Sequence, residues 1–110
     1  MKTAIVGSRD LWLEDFSLHL PEGTTEIISG GAKGIDTAAA LYAAAHGMKL
    51  TEIKPDYRRY RRAAPLKRNE EIVKSADHVL IFWNGTSRGT RYVIELCEKL
   101  GKPHEVFVVS

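Results

Sequence analysis

The fold of this chain is decided by a glycine-rich turn, Ser29-Gly30-Gly31-Ala32-Lys33-Gly34-Ile35-Asp36, between a predicted strand and a predicted helix. The turn follows the apolar run at residues 26–29 and precedes an alanine-rich stretch at 36–46, which predicts a helix closed by Gly47. Three glycines allow the backbone to fold around an anion, and the start of the helix adds a positive dipole. Lys33 can contribute a point charge. The sequence therefore predicts a strand–turn–helix unit that holds a phosphate.

Asp36, the last residue of this turn, has two interpretations. It caps the helix, or it faces a ribose hydroxyl or a reacting centre; local sequence favours capping. The turn is not a Walker A loop, because no Lys-Ser or Lys-Thr pair follows its last glycine, and it is not a strict G-x-G-x-x-G motif.

The rest of the chain supports a single α/β domain over residues 1–110. Apolar runs predict five strands, at residues 3–6, 26–29, 49–53, 78–83 and 105–109, and those at 78–83 and 105–109 are continuous enough for strands buried on both faces. Further helices are predicted at 68–75 and 90–100, with a weaker one at 11–20. This alternation predicts a Rossmann-like, doubly wound parallel sheet of about five strands with helices on both faces.

Two other strand-to-helix turns contain glycines and hydroxyl side chains. The first predicted strand ends in Gly7-Ser8-Arg9-Asp10, and the fourth is followed by Asn84-Gly85-Thr86-Ser87-Arg88-Gly89-Thr90. Trp83 ends the fourth strand and could stack on a base, although core packing is its commoner role. Ligands of open parallel sheets bind outside the carboxyl ends of the strands. We therefore expect the three turns to form one pocket, with Arg68-Asn69 near the same rim.

Charge is unevenly distributed along a chain whose net charge is only +2. Residues 54–68 contain seven basic side chains and one acidic one, so the remainder is net acidic. No apolar period is evident over residues 55–65, which predicts a long loop. Such a local basic block suggests an anionic ligand, and a solvated loop is the alternative.

The remaining composition narrows the class of protein. Cys97 is the sole cysteine, which excludes an internal disulfide, and its predicted position on a buried helix face favours core packing over nucleophilic chemistry. The four histidines are scattered along the chain, and no two of them have the spacing of a metal-ligand pair, so no metal is expected: His19, His46, His78 and His104. Neither a signal sequence nor a membrane-spanning run is evident, and we expect a cytoplasmic protein.

In combination, these motifs resemble those of the SLOG superfamily, which groups DprA/Smf proteins with the LOG phosphoribohydrolases, and in particular the small YspA-type (cpYpsA-related) members. The resemblance extends over almost the whole chain and rests on Ala4-Ile5-Val6-Gly7-Ser8-Arg9, residues 29–36, Arg68-Asn69-Glu70, residues 82–90 and Gly101-Lys102-Pro103. It implies a Rossmann-like fold, a nucleotide-derived ligand such as AMP, ADP-ribose or NAD, and a homodimer.

One departure from the LOG enzymes bears on catalysis. Their P-G-G-x-G-T-x-x-E motif ends in a catalytic Glu, and aligning its G-T with Gly89-Thr90 puts Val93 at that position. Glu95 lies two residues further on, on a different face of the helix. The LOG activity therefore cannot be transferred to this chain. The resemblance to DprA does not include its accessory domains, so DprA's recombination partners cannot be transferred either.

Three functions follow from these observations. The leading one is a nucleotide-binding or sensing module that uses the three turns: Gly7, Ser8, Arg9, Ser29, Gly30, Gly31, Lys33, Gly34, Asp36, Arg68, Asn69, Trp83, Gly85, Thr86, Ser87, Gly89 and Thr90. The second is a nucleotide hydrolase with Glu70 or Asp36 as the catalytic carboxylate; Glu70 could equally be an acid that complements a helix dipole. The third is single-stranded DNA binding by the Tyr- and Arg-rich residues 57–62, which the small net charge disfavours.

Overall fold

The computed structural model describes residues 1–109 and contains one five-stranded parallel sheet. The strands are β1 (Lys2–Gly7), β2 (Glu26–Ser29), β3 (Lys49–Glu52), β4 (His78–Trp83) and β5 (His104–Val108). Their spatial order is β3-β2-β1-β4-β5, and every neighbouring pair is parallel. The predicted doubly wound sheet is thus confirmed, and the order of its strands reverses between β1 and β4.

Helices cover both faces of the sheet. The chain forms α1 (Ile35–Ala45), the short α2 (Tyr57–Tyr60), a 3-10 helix (Arg61–Ala63), α3 (Ala64–Ser75) and α4 (Arg88–Leu100). One apolar cluster joins α1 to one face of the sheet, and a second joins α3 and α4 to the other. Within residues 1–109, no helix has the length and apolar character needed to cross a membrane.

The predicted helix at residues 11–20 is wrong. This stretch is irregular apart from a turn at residues 17–19, and its Phe16 is fully buried and packs edge-to-face on Tyr42 and Phe82. The Oδ1 atom of Asp15 also accepts the N–H of Ser17, a local bond that competes with helix formation. The segment therefore acts as a cover for the α1 face of the sheet without being helical.

The loop predicted at residues 55–65 is also wrong, since α2 and the 3-10 helix occupy most of it. Asp56 caps α2 by accepting the N–H of Arg59 at 3.2 Å, and Pro65 lies in the first turn of α3. The Asp cap and the Pro in the first turn are the local signals for a helix start in a stretch that otherwise has no apolar period. Consequently α3 begins at Ala64, and Arg68 lies inside it and not at its start.

The continuous apolar run that forms β5 is not buried on both faces. β5 is an edge strand paired only with β4, and Val108 is 68% exposed, whereas the four central residues of β4 are buried. An edge strand has only one neighbouring strand, so its side chains are less covered than those of a central strand. A continuous apolar run therefore does not distinguish an edge strand from a central one.

Candidate functional site

The turns that follow β1, β2 and β4 surround one cavity of about 420 Å³ at the carboxyl ends of the strands. It lies at the place where strand order reverses, which is where ligands of open α/β sheets bind. We call it the first cavity, and it is lined by Val6, Gly7, Arg9, Asp10, Ala32, Asp36, Pro65, Arg68, Asn69, Asn84, Ser87, Gly89, Thr90 and Val93.

Gly34 allows the turns after β1 and β2 to pack closely against each other. Its φ is 74°, and a Cβ added there would lie 2.5 Å from the carbonyl oxygen of Arg9. Gly7 is similarly confined, with a Cβ position only 2.7 Å from the side chain of Ile35. Both glycines are needed for close packing of one turn against the next, and Gly34 itself does not line the cavity.

The turn at residues 29–36 is organised by hydrogen bonds within itself. The buried Ser29 hydroxyl donates to the carbonyl oxygen of Asp36 at 3.1 Å and accepts the N–H of Gly31 at 3.3 Å. The N–H of Ala32 donates to Oδ2 of Asp36 at 3.2 Å. Ser29 therefore shapes the turn from beneath and does not reach the cavity.

Asp36 does not cap α1, so the interpretation that local sequence favoured is wrong. Gly34 is the N-cap residue and makes no side-chain cap bond, while Asp36 lies in the first turn with its carboxylate directed back to Ala32. Asp36 is nearly buried and lines the first cavity. Burial raises the pKa of this carboxyl above its usual value of 3.8, against the opposing effects of the Ala32 N–H and the Arg68 guanidinium.

Arg68 extends from α3 to the turn after β2. Its Nη1 atom donates to the carbonyl oxygen of Gly30 at 2.6 Å, and its Nε donates to Oδ1 of Asn69 at 3.0 Å. A Cβ on Gly30 would lie 2.8 Å from that Nη1, so this glycine makes room for the guanidinium. The sequence predicted Arg68-Asn69 near the rim, and both residues line the first cavity.

Asn84 organises the turn after β4, and the sequence interpretation did not single it out. Its Oδ1 accepts the N–H groups of Thr86 and Ser87 at 2.9 and 2.8 Å, and its Nδ2 donates to Asp10 at 2.9 Å. An Asn directly before a Gly is a common start of such a turn, and this signal could have identified it. Asn84 thus connects the third turn to the first.

Hydroxyl groups complete this connection. Ser87 is the N-cap of α4 and accepts the N–H of Thr90 at 3.3 Å. The buried Ser8 hydroxyl lies 3.4 Å from that of Thr90 and accepts the N–H of Asn84 at 3.1 Å. Ser87 and Thr90 line the cavity, whereas Ser8 supports it from behind.

A second cavity of about 460 Å³ adjoins the first. The two share Arg9, Ala32, Pro65 and Arg68, and the second is otherwise lined by Gly30, Gly31, Lys54, Pro55 and Tyr57. The segment predicted as a basic loop therefore reaches the site through Lys54 and Tyr57.

Several residues predicted from the sequence lie outside both cavities. Lys33 and Thr86 are exposed, Gly85 is half-buried, and the indole N–H of Trp83 donates to the carbonyl oxygen of Ser87 at 3.0 Å. Arg58, Arg59, Arg61 and Arg62 are exposed to solvent. The structure thus brings together other residues of the three turns, and these residues do not line either cavity.

The predicted carboxylates are separated from one another. Glu70 accepts the hydroxyl of Tyr92 at 3.1 Å, lies 3.7 Å from Lys67 and does not line either cavity. Glu95 is exposed and lines neither cavity, while Val93, on a different face of the same helix, lines the first cavity at the position where the LOG motif has its Glu. Asp10 and Asp36 are therefore the cavity's carboxylates among residues 1–109.

Cys97 is fully buried in the core, and its burial raises the pKa of the thiol to about 11. The thiol is therefore protonated at neutral pH, in agreement with its predicted core role. In the described part of the chain, no three His, Cys, Asp or Glu residues are grouped so as to hold a metal ion.

Comparison with known proteins identifies one family. The profile of the family described as YspA, cpYpsA-related SLOG matches residues 17–60, which contain β2, the glycine-rich turn, α1, β3 and α2. No curated protein and no solved structure matches the chain. The family match over residues 17–60, the five-stranded parallel sheet and the motifs around the first cavity agree with one another and support membership of the SLOG superfamily.

Proposed function

We propose that this protein binds a nucleotide or a nucleotide-derived phosphate in the first cavity. The observation that carries the proposal is the position of Arg9 and Arg68 in the wall of a cavity built from three strand-to-helix turns. Membership of the SLOG superfamily suggests a nucleotide-related role independently.

The two arginines have capacity left for a phosphate. A guanidinium has five N–H donors, and Arg68 uses its Nε and Nη1 groups within the chain. The exposed Arg9 side chain has no hydrogen bond or ion pair to any of residues 1–109. Charge-assisted bonds from such groups to phosphate oxygens are among the strongest hydrogen bonds in proteins.

The rest of the cavity suits the sugar and base. The Asp10 and Asp36 carboxyl groups can accept hydrogen bonds from ribose hydroxyls, and Asn69, Ser87 and Thr90 offer further polar groups. Val6 and Val93 contribute an apolar surface against which a base can pack. A few polar groups within such a wall are the usual composition of a small-molecule site.

Isothermal titration calorimetry with AMP, ADP-ribose, NAD and cyclic nucleotides tests the proposal. We expect Arg9→Gln to lower the affinity of the bound nucleotide by about tenfold or more, since it removes a charged donor. Lys33→Gln is the matched control, because it removes an exposed cation outside the cavity. Absence of binding by the whole panel at millimolar ligand, or equal losses in both variants, would contradict the proposal.

A second candidate function, hydrolysis of a nucleotide's N-glycosidic bond, is favoured by one observation. Asp36 is a cavity carboxyl whose pKa burial raises, and such a group suits a general acid. Release of free base from nucleoside monophosphates, measured by chromatography, should then stop in Asp36→Asn and continue in Glu70→Gln. Equal release by the wild type and Asp36→Asn would remove this candidate.

A further inference from the structure

The glycine-rich turn at residues 29–36 is occupied by an anion of the chain itself. Asp36 is only 6% exposed, and its Oδ2 atom accepts the N–H of Ala32 at 3.2 Å. Burial raises the pKa of this carboxyl, while the N–H groups of Gly7 and Gly30 join that of Ala32 in lowering it. Asp36 also lies in the first turn of α1, where the helix dipole favours a negative charge. The backbone donors that would hold a phosphate at such a turn are therefore directed at Asp36.

Gly30 lies between Asp36 and the guanidinium of Arg68. A Cβ added to Gly30 would lie 2.9 Å from Oδ2 of Asp36 and 2.8 Å from Nη1 of Arg68. That Nη1 atom already donates to the carbonyl oxygen of Gly30 at 2.6 Å. Because opposite charges that lie close together largely offset each other, the positive charge of Arg68 is offset by Asp36 on the side of the turn.

A second carboxylate lies beside the same turn. A Cβ added to Gly31 would lie 3.3 Å from Oε2 of Glu52, which is exposed and lines neither cavity. The positive charge that the turn itself contributes belongs to Lys33, which is also exposed and outside both cavities. A phosphate that approaches this turn therefore meets carboxylates where the sequence predicts free N–H groups and a lysine.

Arg9 has the opposite character. Its exposed side chain lines the first cavity and makes no hydrogen bond or ion pair with any of residues 1–109. All five N–H donors of its guanidinium are therefore available to phosphate oxygens. The first cavity thus combines a free cation at Arg9 with a filled anion site at Asp36.

We propose that Asp36 is a specificity-determining residue, which excludes phosphate from the glycine-rich turn and leaves that turn to an uncharged hydrogen-bond donor of the ligand, such as a hydroxyl group. This inference rests on the proposed nucleotide-binding function and gives the direction in which the nucleotide lies. The phosphate binds at Arg9, and the sugar is directed toward Asp36.

NMR titration of isotope-labelled protein with inorganic phosphate, at fixed ionic strength and about pH 7, tests the inference. In the wild type, phosphate should shift the signals of Arg9 and leave the backbone N–H signals of Gly30 and Ala32 unchanged. AMP, which adds ribose hydroxyl groups, should shift the signals of Arg9 and of the turn together.

Two variants of Asp36 make the turn itself the site of the measured change. Asp36→Asn removes the charge and keeps an oxygen for the N–H of Ala32, whereas Asp36→Ala frees that N–H as well. In both variants the turn signals should respond to phosphate in a saturable way, with an apparent affinity at least about tenfold higher than in the wild type. Thermal melts check that the variants fold, and the conservative Asn variant keeps the test independent of any disturbance in Asp36→Ala.

Glu52→Gln is the matched control, because it removes an exposed carboxylate beside the same turn and frees no N–H group. Its turn signals should stay as insensitive to phosphate as those of the wild type, since an exposed charge is screened by solvent. Turn signals that respond to phosphate in the wild type, no gain in either Asp36 variant, an equal gain in Glu52→Gln, or AMP binding at Arg9 without a response of the turn would each overturn the inference. Absence of any response at Arg9 to phosphate and AMP would contradict the proposed function, whereas the contrast between the wild type and the Asp36 variants would still decide whether Asp36 excludes phosphate.

Discussion

The glycine-rich turns after β2 and after β4 look alike in sequence but use their glycines differently. In the first, a Cβ on Gly34 would lie 2.5 Å from a backbone oxygen of the preceding turn, so the glycine permits close packing. In the second, a Cβ on Gly85 or Gly89 would meet nothing within 4 Å. The comparison teaches that a glycine-rich turn can serve chain packing or an open site, and that neighbouring elements decide which.

The turns also differ in how they are capped. Gly34 is the N-cap of α1 and provides no side-chain bond, whereas Ser87 caps α4 and Asn84 accepts two further N–H groups. The first turn is held by contact with its neighbours, and the second by its own polar side chains. Substitutions in the two turns should therefore have different consequences.

The largest effect is expected for Gly34→Ala. The substitution combines a positive φ with overlap of backbone atoms, and we expect a loss of about 3 kcal/mol or more in the free energy of unfolding. Gly89→Ala is the matched change in the other turn and should be neutral or stabilising by up to about 1 kcal/mol. Chemical denaturation measures both, and similar losses would show that the two glycines are equivalent.

Asn84→Ala should have the next largest effect. It leaves the N–H groups of Thr86 and Ser87 without their acceptor, at a cost of about 1–2 kcal/mol. Thr86→Ala removes an exposed hydroxyl that donates to the same Asn84 oxygen at 3.2 Å, leaves both backbone bonds in place, and should stay within about 0.5 kcal/mol of the wild type. Thermal melts of the two variants check this, and an unchanged melting temperature for Asn84→Ala would contradict the role given to Asn84.

Ser87→Ala should cost about 1 kcal/mol, because it removes the cap of α4, whereas Ser87→Gly should cost only a few tenths of a kcal/mol. Equilibrium unfolding in urea measures the difference between the two variants. If Ser87→Gly were the more destabilising, backbone freedom and not the cap would control the start of α4.

The smallest effect concerns the pH dependence of stability at Asp36. Burial raises its pKa above 3.8 in the folded chain, so between pH 3.8 and the raised pKa the folded state retains a proton that the unfolded state has lost. The stability that this group contributes is therefore complete below pH 3.8 and is lost as pH rises through the raised pKa.

Asp36→Asn removes this titration, so the stability of the wild type relative to Asp36→Asn should fall as pH rises. Unfolding experiments over about pH 3 to 7 would measure the trend. A difference that stays constant with pH would show that Asp36 does not titrate differently on folding.

Much of the site could be predicted from the sequence because its residues follow strands directly. Gly7 and Arg9 lie at the end of β1, Ser87 and Thr90 follow β4, and the parallel topology brings these positions together. Lys33 and Trp83 were equally plausible by position, but the direction of each side chain depends on local packing. Asn84 and Tyr57 reach their places through a turn and a short helix that the hydrophobic pattern did not reveal.

By itself, the sequence determined the parallel sheet, the main helices α1 and α4, and the three turns at one rim, because hydrophobic runs and glycines act locally along the chain. Only the tertiary structure decided that residues 11–20 form a non-helical cover, that Asp36 lines the cavity instead of capping α1, and that Arg9 and Arg68 form a wall between two cavities. Those outcomes depend on burial and on contacts between residues far apart in the chain, such as Phe16 with Phe82 and Arg68 with Gly30, which no local pattern contains.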